Sequence, residues 1–95
     1  MSIIHTVREK IANREYEFTI PHFFEEMAKD DLIFADIEMA IAHGRIRRKF
    51  TRDPRGIRYE VVGPATSGRE IAIICRMKST GKLLLITTYA LEEIK

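Results

Sequence analysis

The chain contains no tryptophan, one cysteine, three prolines and five glycines, and each scarcity excludes something. A lone Cys75 cannot close an internal disulfide, so a disulfide-stapled secreted domain is excluded and a reducing, cytoplasmic setting is expected. Cys75 lies in the apolar run IAIIC, where a small buried core residue is the expectation rather than a nucleophile. No internal repeat, low-complexity tract or linker interrupts the chain, and 95 residues are enough for one core, so residues 1–95 read as a single domain. No apolar run approaches the roughly 20 residues that a bilayer span needs. The opening MSIIHTVREKIANRE turns charged too soon for a signal peptide. His5, His22, His43 and Cys75 lack metal-ligand spacing, and there is no Gly-rich phosphate loop, nucleophile elbow or paired catalytic carboxylate. No metal, cofactor or membrane partner is therefore expected.

What the chain does have is an uneven distribution of charge. The formal net charge is only +2. Residues 1–43 nevertheless carry four bases against nine acids, −5, and residues 44–95 carry twelve bases against five acids, +7. Within HGRIRRKFTRDPRGIRYEVVG, seven of the fourteen positions from Arg45 to Arg58 are Lys or Arg, with Asp53 the only acid. Such a split points to a polyanion or an acidic protein as partner. A Lys/Arg-rich edge strand also resists aggregation, but mixed charge would do that equally well. One sign of charge fits phosphate binding better.

The first half reads helical. Ile3, Ile4, Val7 and Ile11 recur at helical spacing, with Arg8, Glu9 and Lys10 on the other side, so residues 1–14 form an N-terminal helix that stops near Asn13. Residues 16–44 hold a short alternating strand, YEFTI, and two helices. Pro21 suits the first turn of one, and Gly44 suits a left-handed end to the other.

Residues 45–90 read as an antiparallel meander. Asp53-Pro54-Arg55-Gly56 carries the residues of a type I turn in their preferred places. Further turns are expected at Pro64–Gly68 and Ser79–Gly81. Tight loops would pair Phe50 with Tyr59, Lys49 with Glu60, Met77 with Leu83 and Ile73 with Thr87. Alternation then puts Ile46, Phe50, Ile57, Tyr59, Val61, Ile71, Ile73, Cys75, Met77, Leu83, Leu85, Thr87 and Tyr89 towards the helices, with Arg48 among them at its strand end. Arg45, Arg47, Lys49, Thr51, Arg58, Glu60, Arg76 and Thr88 fall on the open face, beside an apolar patch of Ala72, Ile74, Leu84 and Ile86. The expected class is α+β, with N-terminal helices packed on one face of an antiparallel four- to five-stranded β-meander.

HFFEEMAKDDLIFADIEMAIAHG, FTRDPRGIRYEVVG and LLLITTYA, in this order, resemble the helical half, first hairpin and last strand of the bacterial and archaeal unknown-function domain family 4258. The resemblance covers roughly residues 3–90. The chain departs from the usual pattern at Ile20, where Ser or Thr is common, and at Ile33, where a polar cap is common. The resemblance implies a prokaryotic protein of the barnase–EndoU–colicin–RelE type: small ribonuclease-like toxins, some paired with a zinc-finger antitoxin. Metal-free RNA cleavage needs two proton transfers and stabilisation of a phosphorane-like charge. The residues read for those roles are His22 and Tyr89 for the protons, Arg58 and Arg76 for the charge, and Thr87 beside them. Arg45, Arg47, Lys49, Arg52 and Arg55 are read as nucleic-acid-binding. His22 can equally be a structural pin bonded to a backbone group or to Tyr89. The expectation is thus a RelE-like, toxin-type protein that binds RNA, with metal-independent endoribonuclease activity as its extension and an acidic or zinc-finger antitoxin as partner. The alternative is a non-catalytic interaction module that homodimerises through the apolar patch.

Overall fold

A computed structural model describes residues 2–91. Three helices, α1 (Ile3–Ala12), α2 (His22–Lys29) and α3 (Phe34–His43), cover one face of a five-stranded sheet. The strands are β1 (Tyr16–Phe18), β2 (Arg45–Phe50), β3 (Arg58–Pro64), β4 (Glu70–Met77) and β5 (Leu83–Ala90), in the order β1-β5-β4-β3-β2. Strands β2 to β5 form the expected antiparallel meander, while β1 lies parallel to β5 and makes the sheet mixed. The class is α+β. Among the described residues no helix is long and apolar enough to cross a membrane.

The core lies between the layers. Val7 and Ile11 of α1, Phe23 and Met27 of α2, and Ile37, Ala40 and Ile41 of α3 meet Val61, Ile71, Ile73, Cys75, Leu83 and Leu85 of the sheet. Burial with no compensating charge pushes the Cys75 thiol up to about 12, so it is inert packing. Arg8 does not face solvent as its place in the α1 pattern suggested. Its Nε donates to Ile41 O and its Nη2 to Gly44 O, each at 2.9 Å, satisfying carbonyls that the end of α3 leaves without partners. Asp36 does the matching work at the other end of α3. Its carboxylate accepts from the Ile33 N–H at 2.9 Å and from the N–H and hydroxyl of Thr66 at 2.9 and 2.6 Å. This supplies a helix start although apolar Ile33 stands in the cap position.

Gly44 corrects another expectation. Its φ of −94° and ψ of −169° are extended, not left-handed. Glycine is needed there for close approach: a Cβ on Gly44 would overlap the carbonyls of Ala40 and Val62, and one on Gly63 would overlap Ala40 O and crowd the Gly44 Cα at 2.9 Å. Backbone meets backbone where α3 turns into the sheet.

Two β-bulges set the register, and they overturn part of the expected face assignment. In β2, Arg45 and Ile46 pair with Val62 and Val61, but Arg48 then pairs with Glu60, leaving Arg47 as an extra residue. Lys49 therefore pairs with Tyr59 and Phe50 with Arg58. Arg48 and Phe50 move to the open face, and Lys49 moves to the helix side at the sheet edge. In β5, Met77–Leu83 pairing holds as expected, but Ile74 pairs with Thr87 and Cys75 with Leu85, leaving Ile86 as the extra residue. Thr87 and Tyr89 thus lie on the open face. Thr88 turns inward, fully buried, with its hydroxyl donating to Ala72 O at 2.8 Å. Ile57 lies outside the strands and is exposed. The expected open apolar patch is also reduced, since Ala72 and Ile74 are buried and Leu84 and Ile86 are half-buried.

Gly63→Ala is expected to lower stability by at least about 2 kcal/mol, because backbone atoms must move to admit the methyl group. Gly68→Ala, with φ of +91° but open space around it, is expected to cost about 1 kcal/mol. Urea unfolding of both variants checks the contrast, and equal losses would contradict it.

Candidate functional site

The open face of β2 and β3 is organised around one carboxylate. Glu60 occupies an inner strand, pairs with Arg48 on one side and Ile74 on the other, and its side chain is 1% exposed. Because of the bulge, two arginines stand beside it. Arg47 Nε donates to Glu60 Oε1 at 2.6 Å, and Arg48 Nε lies 3.5 Å from the same oxygen. The Tyr89 hydroxyl donates to the other oxygen at 2.6 Å. Tyr89 sits two strands away, and β4 between them carries only Ala72 and Ile74 on this part of the face.

The electrostatics follow from those contacts. The Arg47 hydrogen bond, with help from Tyr89 and Arg48, outweighs burial and holds the Glu60 carboxyl below the usual range. Burial and the hydrogen bond to a charged carboxylate push the Tyr89 hydroxyl up. Glu60 is therefore a weak base and Tyr89 a donor whose proton is already committed. The triad holds Arg47 against Glu60 and Arg45 pairs with Glu70 at 3.8 Å, which leaves Lys49, Arg52, Arg55 and Arg58 towards the tip of the hairpin.

Those cations surround a cleft of about 530 Å³ lined by Lys49, Phe50, Thr51, Arg52, Asp53, Pro54, Arg55 and Arg58. The Asp53–Gly56 turn forms as the sequence indicates, with the Gly56 N–H donating to Asp53 O at 3.1 Å and the Arg55 N–H to Asp53 Oδ1 at 2.9 Å. Arg58 and Arg76 pair directly across β3 and β4. The Arg58 guanidinium lies 5.3 Å from the centre of the Phe50 ring. Arg76 Nη1 donates to Arg55 O at 3.2 Å and ties the turn to β4. Arg45, Arg48, Lys49, Arg52 and Arg55 are exposed.

The predicted residues thus separate into two groups. Lys49, Arg52, Arg55, Arg58 and Arg76 gather at this end of the sheet, whereas Arg45 stands at the other end of β2, 3.8 Å from Glu70 Oε1. Arg47 belongs to the same strand but is held by Glu60. His22, Thr87 and Tyr89 do not form the expected cluster. His22 begins α2 on the helix side, with Nε2 3.8 Å from Glu26 Oε1, while Tyr89 and Thr87 lie on the opposite face. Tyr89 is no partner for His22, since its hydroxyl goes to Glu60. Glu60 itself escaped the sequence reading. A lone acid between Tyr59 and Val61, opposite a run of arginines, was the available signal.

The family model for a domain of unknown function, DUF4258, matches residues 20–90, and the chain belongs to that family. The match takes in α2 through β5 and omits α1 and β1, so it is shorter than the resemblance over residues 3–90. No curated protein and no solved structure matches the chain.

Two variants test the triad. Arg47→Ala is expected to cost about 2 kcal/mol by leaving a buried carboxylate short of a partner, and Tyr89→Phe about 1 kcal/mol. Glu60 has a lowered folded value, so its contribution is full above the usual carboxylate range and is lost as pH falls through that lowered value. Glu60→Gln should therefore flatten the fall in Tm between about pH 5 and about pH 3. Lowered Asp36, Asp53 and Glu17 leave the remaining acid sensitivity in place. An unchanged acid limb in calorimetry would contradict the assignment.

Proposed function

We propose that this is an RNA-binding protein of the toxin–antitoxin kind whose basic hairpin face holds phosphates. The observation that carries the reading is the balance of charge at that face. Arg48, Arg52, Arg55, Arg58 and Arg76 stand there, with Lys49 at the sheet edge beside the cleft; Glu60 and Asp53 oppose them, and both carboxylates are already engaged by arginines. The cations outnumber those two carboxylates, and Arg48, Lys49, Arg52 and Arg55 are exposed, an excess of one sign that suits a phosphate backbone. An acidic or zinc-finger antitoxin covering the same face would fit the same charges.

Metal-free cleavage is the second reading, favoured by one observation: Arg58 and Arg76 stand side by side on paired strands, where two guanidiniums can share one developing charge. Proton transfer is less well provided. His22 is on the other side of the sheet, Glu60 is a weak base, and Tyr89 holds its proton for Glu60. Binding therefore takes precedence over RelE-like catalysis. Dimerisation through the open face loses support from the burial of Ala72 and Ile74.

Binding to mixed-sequence RNA should weaken linearly in log–log form with salt, with a slope of about −0.7 per neutralised phosphate on single strands. Arg52→Ala and Arg55→Ala should each reduce that slope by about 0.7, with Tm unchanged for Arg52→Ala. Absent or salt-independent binding overturns the proposal. Incubation of the same RNA in chelator tests the second reading: cutting lost in folded Arg58→Ala or Arg76→Ala supports it, and intact RNA removes it.

A further inference from the structure

Asp53 is the single acid in the basic stretch 45–58, and its side chain is only 5% exposed. Arg55 donates to it twice, Nε to Oδ1 at 3.1 Å and Nη2 to Oδ2 at 3.3 Å. Arg58 Nε approaches Oδ2 to 3.3 Å, yet it is buried and makes no hydrogen bond. The distance is that of an ion pair, but the angle is wrong. Two guanidiniums thus converge on one planar carboxylate that satisfies only one of them.

A phosphate group is tetrahedral and can meet two forks that point at it from different directions. Arg76 braces the turn beside this space, its Nη1 donating to Arg55 O and its stem passing Gly56, where an added Cβ would lie 3.6 Å from its Cδ. Phe50 is next to these cations and is absent from the hydrophobic core between helices and sheet. A concave site that joins an anion fork to an aromatic ring and a planar guanidinium suits a nucleotide whose base is free to stack. In a duplex the base faces are hidden, and only phosphates and groove edges are offered.

We infer that the cleft is a nucleotide subsite for unpaired RNA, in which a backbone phosphate takes the place of the Asp53 carboxylate on Arg55 and Arg58 while the base lies against Phe50. This inference rests on the RNA-binding reading and names its substrate class. Asp53 holds the fork in the free protein and competes with the incoming phosphate.

The test is fluorescence anisotropy with a short single-stranded RNA and an RNA duplex carrying the same number of phosphates. The single strand should bind about tenfold more tightly, and Phe50→Leu should remove about that factor while leaving the duplex unchanged. Asp53→Asn keeps an oxygen for the Arg55 N–H but removes the competing charge, so single-strand binding should tighten about threefold. Arg55→Gln, at a side chain that is 73% exposed and thus safe for the fold, should weaken single-strand binding selectively. Equal affinity for the two RNAs, an unaffected Phe50→Leu, or weaker binding by folded Asp53→Asn overturns the subsite. Steep salt dependence without strand preference would leave general RNA binding standing and remove only this inference. Binding to neither RNA would remove both.

Discussion

The arrangement of the open sheet face depends on a carboxylate taken out of water. Glu60 would be a costly residue in the middle of a sheet unless its charge were matched, and Arg47 and Tyr89 match it from two different strands. Holding that contact requires the extra residue in β2, which lets Arg47 and Arg48 both stand opposite Glu60. The bulge in turn rotates the rest of β2, bringing Phe50 to the same face as Arg58. A single buried acid thus ties down Arg47 and draws Arg48 to within 3.5 Å. Arg47 is tied to Glu60 although its side chain stays 33% exposed. Arg48, Arg52 and Arg55 remain exposed.

Much of the architecture was legible because it follows from local chemistry. The helical spacing of Ile3, Ile4, Val7 and Ile11, the Asp-Pro-Arg-Gly turn and the alternation in β3 and β4 all give the observed elements. The faces of β2 and β5 were not legible in the same way. Each strand contains one residue more than strict alternation allows, and a bulge at a non-glycine position has no distinctive local signature. Beyond Arg47 and beyond Ile86, period-two reasoning therefore assigns residues to the wrong side. That error accounts for Arg48, Lys49, Phe50, Thr87 and Tyr89. It also explains why a His22–Tyr89 pairing could be drawn on paper and is not formed. The charge concentration, by contrast, survives any register shift, so the gathering of Arg52, Arg55 and Arg58 at one hairpin was readable from the sequence.

The helical layer and the basic face contribute differently to the molecule. Helix α3 is held at its end by Arg8 from α1 and at its start by Asp36, and its last turn meets β3 through Gly44 and Gly63 with no side chain between them. Helix α1 lies outside the matched family region but supplies one of those clamps. The acids of the first half are therefore borne on the helical layer, its connections and the β1 edge, the sheet edge opposite β2. Separation of charge follows from the fold: the helices, their connections and β1 carry nine of the fourteen acids, and the β2 edge of the sheet carries the concentrated bases.

The proposed RNA contact lies on the basic end of the open sheet face and not on the helical layer. Amide chemical shifts recorded while a short single-stranded RNA is added test this residue by residue. The account expects perturbations at residues 45–58 and around Arg76, lost together when salt is raised, with α1 and α2 unchanged. Perturbations centred on His22 and the helices, or none at any concentration that the free protein tolerates, would contradict it.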